Sequence, residues 1–189
     1  MSDVEAQWVL QAQKGDVSAF TQLVEAYQKP VYNLCYRMLG NAEDAEDAAQ
    51  ETFLRAYKSI RRYDNDRPFS TWLLSISAHY CIDQIRKRRL AIVSIEDLPV
   101  PDVPDPSFGP ETATARGEEQ RRIRALLEAL DETDRAAVVM YYWYDFSYEE
   151  ICQALSLTMS AVKSRLHRAR RAMAREWMEQ QPQPLAQKG

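Results

Sequence analysis

Glycine is scarce in this chain, with five residues in 189, and runs of β-branched residues are few. That combination argues against a turn-rich, strand-built fold. Cysteine is also rare. Cys35, Cys81 and Cys152 stand far apart, and no C-x-x-C pair exists. The spacing excludes a zinc-ribbon or finger pattern, and the three read as packed, reduced thiols. There are two histidines, so no metal, cofactor or catalytic residue set is expected. No stretch of about 18 uncharged apolar residues is present, so no membrane insertion is expected. The opening MSDVEAQWVLQAQKGD lacks a long apolar core and does not read as a secretion signal. A cytoplasmic protein is the expectation.

Ala, Leu, Glu, Gln and Arg dominate instead, which favours an all-α fold. The net charge is −4, but its distribution matters more than its sum. Thr158 to Arg175 carries six basic residues and no acid, and Arg86 to Arg89 are consecutively basic. Asn41 to Glu51 holds five acids and no base. Such segregation predicts separate surfaces for partners of opposite charge.

Five of the nine prolines fall between Ala91 and Gly117, together with Asp97, Asp102 and Asp105. Proline at that density denies both helix and central strand, so 91–117 reads as an extended acidic linker. Two small helical domains are therefore expected, 1–90 and 118–178, with a disordered tail at 179–189. In the first, Phe20, Leu23, Val24, Tyr27, Val31, Leu34 and Met38 recur at helical spacing up to Gly40, with Pro30 predicting a kink. A second helix is expected over 42–60, with Ala45, Ala49, Phe53, Ala56 and Ile60 buried. A loop follows to Phe69, then a third helix over 70–89. The second domain reads as four helices near 118–130, 133–144, 147–155 and 158–176, joined by short loops.

The last two helices carry the sharpest motif. Ser147-Tyr148-Glu149-Glu150 fits a capping box. Ser156-Leu157 makes a turn, and Thr158 can cap the next helix. At about 100° per residue, Val162, Leu166, Ala169 and Met173 form one buried seam. The opposite face presents Ser160, Lys163, Ser164, His167, Arg168 and Arg171, all able to donate to phosphates or base edges. This is a DNA-binding helix-turn-helix whose second helix fits the major groove.

YEEICQALSLTMSAVKSRLHRARRAM, residues 148–173, resembles the −35-binding helix-turn-helix of the extracytoplasmic-function (ECF) group of bacterial sigma factors. DAEDAAQETFLRAYKSI resembles that family's core-polymerase-binding helix, and RPFSTWLLSISAHYCIDQIRKRR its −10-recognition helix. The resemblance implies a non-enzymatic factor that binds core RNA polymerase, through its β′ coiled-coil and β flap, and directs promoter-specific transcription initiation. It places Asp44, Asp47, Gln50, Glu51, Phe53 and Leu54 against the β′ coiled-coil. It places Tyr63, Asp64, Asn65, Ser75, His79, Arg86 and Arg89 at the melted −10 strand. There the loop would stack and read an unpaired base, and the arginines would hold phosphates. It also implies an anti-sigma partner. Four positions depart from the family pattern: His79 where relatives often have Asn, Ser156 where the turn usually has Gly, and Ser160-Ala161 where relatives often have Gly-Thr.

Two other readings compete. A polymerase-independent helix-turn-helix regulator would use the same C-terminal motif but leave the −10-like helix unexplained. A metal-dependent nuclease built on Glu43, Asp44, Asp47 and Glu51 would need accompanying ligands that the sequence does not supply.

Overall fold

A computed structural model describes residues 3–95 and 115–179, and every regular element among them is helical. Helix α1 (Asp3–Gln13) has no counterpart in the sequence reading. It buries Val9 and Ala12. At its end Gln13 Nε2 donates to the carbonyls of Ile60 (3.2 Å) and Tyr63 (2.8 Å), closing a short 3-10 turn over Ile60–Arg62. Its apolar signal is short, which is why periodicity passed over it.

Helix α2 (Val17–Leu39) begins where Asp16 accepts from the amides of Ser18 and Ala19. It continues through Pro30 and stops at Gly40, whose φ of 84° is left-handed. Helix α3 (Ala42–Ser59) is capped by Asn41, which accepts from the Asp44 amide at 2.8 Å. Its buried stripe is Ala45, Ala48, Thr52 and Ala56. The expected Ala49 and Phe53 lie one position round and only half-buried. Small side chains win the inner face because α3 sits close to its neighbours. Thr52 donates to the Ala48 carbonyl and accepts from Ser77. Helix α4 (Phe69–Ile95) runs past the expected linker start at Ala91, since Leu90–Ile95 contains no breaker. The rest of the expected linker, 96–114, and the tail 180–189 lie outside the described residues.

Helices α5 (Ala115–Glu128), α6 (Glu132–Trp143), α7 (Tyr148–Leu155) and α8 (Met159–Glu179) follow the expected four-helix order. Within the first half, α2 packs on α1, α3 and α4; within the second, α8 packs on α5, α6 and α7. The halves also meet, α4 against α6 and α7, and α2 against α5 and α6. Buried residues of both, from Leu34 and Leu74 to Met140 and Ile151, form one apolar cluster.

Polar contacts tie this junction. Arg135, only 8% exposed, donates to the Met38 carbonyl at 2.6 Å and to the Glu128 and Leu130 carbonyls at 3.2 and 3.4 Å. A cation placed there satisfies orphan carbonyls at two helix C-termini and opposes their dipoles. Arg124 donates to the Gly40 carbonyl (3.2 Å), and the Tyr144 hydroxyl to the Pro30 carbonyl (2.6 Å).

Candidate nucleic-acid interface

The helix-turn-helix forms as its residues require. The Ser147 amide donates to Glu150 Oε2 (2.8 Å), and the Glu150 amide to the Ser147 hydroxyl (3.2 Å), which completes the capping box. Ile151, Ala154 and Leu155 are buried. Ser156 takes the left-handed conformation at φ 54° and ψ 44°, and the Leu157 amide donates to the Cys152 carbonyl. Glycine would sit there without strain; serine holds it at modest cost. Thr158 Oγ1 then accepts from the Ala161 amide at 3.3 Å.

On α8, Val162, Leu166 and Ala169 are fully buried and Met173 packs partly against the core. Ser160, Lys163, Ser164, His167, Arg168 and Arg171 are all exposed on the far side. Sequence periodicity did not show what holds two arginines beside that face. Asp134 on α6 is 3% exposed. It accepts from Arg165 Nη1 at 2.7 Å and from Arg168 Nε and Nη2 at 2.8 Å each. The hydrogen bonds it donates to Asp134, and the charge of that carboxylate, raise the Arg168 guanidinium above its ordinary value. One edge of the Arg168 fork is therefore occupied, and only its remaining N–H groups can reach outward. No sequence signal singles it out, since Asp134 stands in the polar first turn Glu132-Thr133-Asp134-Arg135; only its burial in the fold, which demands a cationic partner, sets it apart.

The residues expected at a melted strand are divided by the structure. Asp64 and Asn65 are exposed in the loop before α4; Asp64 accepts from the Asp66 amide (3.0 Å), and Asn65 donates to Gln13 (3.1 Å). Tyr63 is 5% exposed. Its hydroxyl donates to the Arg67 carbonyl, and its ring packs against Phe69 and Trp72, with centroids 5.6 and 4.8 Å away. Burial first, then the charges of Glu5 and Asp64, push its phenol up to about 12. Tyr63 therefore braces the loop from inside, and in this arrangement it offers no open face for stacking. Loop aromatics look like stacking platforms in a sequence, but this one is consumed by the core.

Along α4, Ser75 donates to the Trp72 carbonyl (2.7 Å), and His79 Nδ1 lies 2.8 Å from the Ser75 carbonyl, with the imidazole exposed. Ile82, three residues on from His79, is 5% exposed and belongs to the apolar cluster. Arg86 Nε donates to Glu132 Oε1 (2.8 Å), and its Nη2 to Thr133 (3.4 Å). Arg89 lies 4.0 Å from Glu132 Oε2. Burial alone would raise the Glu132 carboxyl. The Arg86 hydrogen bond, its own amide and the charges of Arg86 and Arg89 outweigh that and hold it below its ordinary value.

The α3 face retains its acids. Asp47, Gln50 and Leu54 are exposed, Leu54 by 54%. Phe53 is half-buried and borders a groove with Val24, Tyr32, Ala49 and Gln50. Asp44 is ion-paired with Arg88; that bond and the one from Asn41 hold its carboxyl low against the opposing effect of burial. Glu51 pairs with Arg55 at 2.7 Å. Cys35 and Cys81 are buried and Cys152 half-buried, none in a disulfide. Among the described residues no group of acids, histidines and cysteines is arranged to hold a metal ion, and no helix is long and apolar enough to cross a membrane.

Comparison with known proteins agrees with this geometry. The family described as sigma-70 region 2 matches residues 23–91, and the one described as sigma-70, region 4 matches 120–173. The chain is 36% identical to the ECF RNA polymerase sigma factor SigW of Bacillus subtilis over 175 residues, covering 89% of this chain and 94% of that one. It is 34% identical to the ECF sigma factor SigE of Mycolicibacterium smegmatis, covering 92% and 68%. Its fold resembles CnrH, solved with the cytosolic domain of CnrY (TM-score 0.69, 24% identity, 95% and 100% covered). It also resembles the sigma factor RpoE of Bartonella quintana, solved with the anti-sigma factor NepR (TM-score 0.67, 19% identity, 87% and 100% covered). The order of the two matched regions, the helix-turn-helix and the acidic α3 face thus converge, and the chain belongs to the extracytoplasmic-function group of RNA polymerase sigma factors.

Proposed function

We propose how this ECF sigma factor divides promoter recognition among its residues. The exposed face of α8, Ser160, Lys163, Ser164, His167, Arg168 and Arg171, enters the major groove of the −35 element. Arg168 does so with the part of its guanidinium that Asp134 leaves uncovered. The loop residues Asp64 and Asn65, with Ser75 and His79 on α4, face the opened −10 strand, while Arg86 and Arg89 hold its phosphates. The α3 residues Asp44, Asp47, Gln50, Glu51, Phe53 and Leu54 dock on the β′ coiled-coil of core polymerase, with acids suited to a basic partner and Leu54 as apolar contact. The second half would reach the β flap. The factor works where polymerase and chromosome are, in the cytoplasm.

One observation carries the reading. α8 presents an unbroken polar and basic face directly opposite a fully buried seam, on a capped two-residue turn. An anti-sigma partner is part of the proposal. Its support is that CnrH and the Bartonella quintana RpoE were each solved with a second protein, which for RpoE is an anti-sigma factor.

The decisive experiment is in vitro transcription with core polymerase over a genomic promoter library. Promoter-specific transcripts dependent on this chain are expected, together with co-purification of the chain and core enzyme. Duplex binding by the chain alone, without polymerase capture or transcripts, would favour an independent regulator instead.

A further inference from the structure

We infer that the residues turned to the opened −10 strand accept hydrogen bonds rather than donate them, and so select cytosine or adenine over thymine or guanine. The inference rests on the reading that Asp64, Asn65, Ser75 and His79 meet that strand, and it names the chemistry of the base they take. It follows from where each of these side chains has spent its hydrogens.

His79 Nδ1 lies 2.8 Å from the Ser75 carbonyl. A carbonyl only accepts, so Nδ1 carries the proton. In the neutral ring Nε2 is then left as an acceptor, on an exposed imidazole. Ser75 stands one turn earlier on α4. Its hydroxyl hydrogen goes to the Trp72 carbonyl at 2.7 Å, so what remains on Oγ is lone pairs. The loop repeats the pattern through a longer chain of bonds. Gln13 Nε2 donates to the carbonyls of Ile60 (3.2 Å) and Tyr63 (2.8 Å), which uses both of its hydrogens. Gln13 Oε1 must therefore be the acceptor in the contact with Asn65, 3.1 Å away. Asn65 commits its amide nitrogen towards α1 and keeps its carbonyl oxygen unspent. Asp64 receives the Asp66 amide at one oxygen, and a carboxylate has only further acceptor sites to offer. The cations nearby, Arg62 and Arg67 beside the loop and Arg86 and Arg89 on α4, suit the phosphates, which carry no base information.

Bases differ in the sign of the hydrogen bond they bring to such a face. Cytosine N4 and adenine N6 are amino donors, whereas thymine O4 and guanine O6 are acceptors. An amino group satisfies the lone pairs of the protein. A keto oxygen in its place sets acceptor against acceptor and leaves both unpaired once water is displaced. Helix α1 takes part without touching DNA, because Gln13 decides which end of Asn65 is committed.

The test uses holoenzyme assembled from core polymerase and the full chain. Its DNA is a promoter recovered in the transcription experiment above, with the −10 segment held open by mismatches. Each cytosine of that segment is replaced in turn by uracil and each adenine by hypoxanthine, which exchanges the amino group for a keto oxygen. At one position or more the exchange should weaken binding roughly 5- to 30-fold. His79→Ala should shrink that ratio. His79→Lys, whose ammonium only donates, should shift the choice towards the keto base. A ratio of affinities measured on one preparation cancels the fraction that is folded, so damage to the fold cannot imitate these results. If no exchange weakens binding, or if the base selected is thymine or guanine and His79→Ala relaxes that choice, the accepting face is overturned. If an amino base is selected but alanine at Asp64, Asn65, Ser75 and His79 in turn leaves the ratio unchanged, the reading that places these residues at the strand fails instead.

Discussion

Replacing Asp134 with Ala should make the protein less stable and, at the same time, a tighter but less discriminating DNA binder. Asp134 is buried at the start of α6 and accepts three hydrogen bonds from two arginines on α8. Breaking a fully buried ion pair costs about 3–5 kcal/mol. Here the acid is buried but the Arg165 and Arg168 side chains are 28% and 57% exposed, so water can take over part of the lost interaction. A hydrogen bond to a charged group contributes about 1.5–3 kcal/mol, and that range is the expected total loss after screening. For a chain of this size each kcal/mol lowers the melting temperature by about 2–4 °C. Meanwhile two guanidiniums are released towards the DNA face. The slope of log affinity against log salt should then steepen by about 1 for each added phosphate contact. Discrimination between the native −35 element and a mutated one should shrink, because a free Arg168 no longer presents a fixed edge. Urea denaturation and duplex binding across a salt series measure both effects. An Asp134→Ala protein with wild-type stability and an unchanged salt slope would refute the argument that this carboxylate sets the α8 arginines.

Other outcomes follow from the same contacts. Arg135→Met should remove a cation bonded to carbonyls at two helix ends, loosening the junction by about 1–3 kcal/mol, seen as faster hydrogen exchange in the last turn of α2; exchange as slow as in wild type would dismiss the clasp. Ser156→Gly should stabilise the helix-turn-helix by about 1 kcal/mol, because φ of 54° strains a residue with a Cβ; a lower urea midpoint would contradict this. Acid should part the α4 contacts. Glu132 and Asp44 are both held below their ordinary values of 4.5 and 3.8, so each stabilises the fold at every pH above those values and loses that contribution as pH falls through its depressed one. Scattering should show expansion beginning below pH 4.5, and one that begins only in alkali would reverse the sign.

Much of the architecture was legible without coordinates because it depends on local rules. The seam Val162–Leu166–Ala169, the capping box at Ser147 and the stop at Gly40 each follow from a few neighbouring side chains meeting one backbone requirement. Local rules failed where the outcome depended on distance in the fold. Helix α1 is defined by what Val9, Ala12 and Gln13 meet across the bundle. The α3 stripe shifted to Ala48 and Thr52 because closeness to Ser77, twenty-five residues away, favours small groups. Tyr63 looked like a surface aromatic and is a core one, since Phe69 and Trp72 enclose its ring.

The sequence alone was enough for the helical class, the order of helices from α2 onward, the helix-turn-helix and the separation of acidic from basic surfaces. These rest on periodicity, capping chemistry and charge counts, none of which requires a neighbour from elsewhere in the chain. The partners of each charge came only with the folded molecule. Arg86 meets Glu132, Arg168 meets Asp134 and Arg135 meets the Met38 carbonyl through contacts that span dozens of residues. Ion pairing is set by distance and burial in space, and a chain written in a line carries neither.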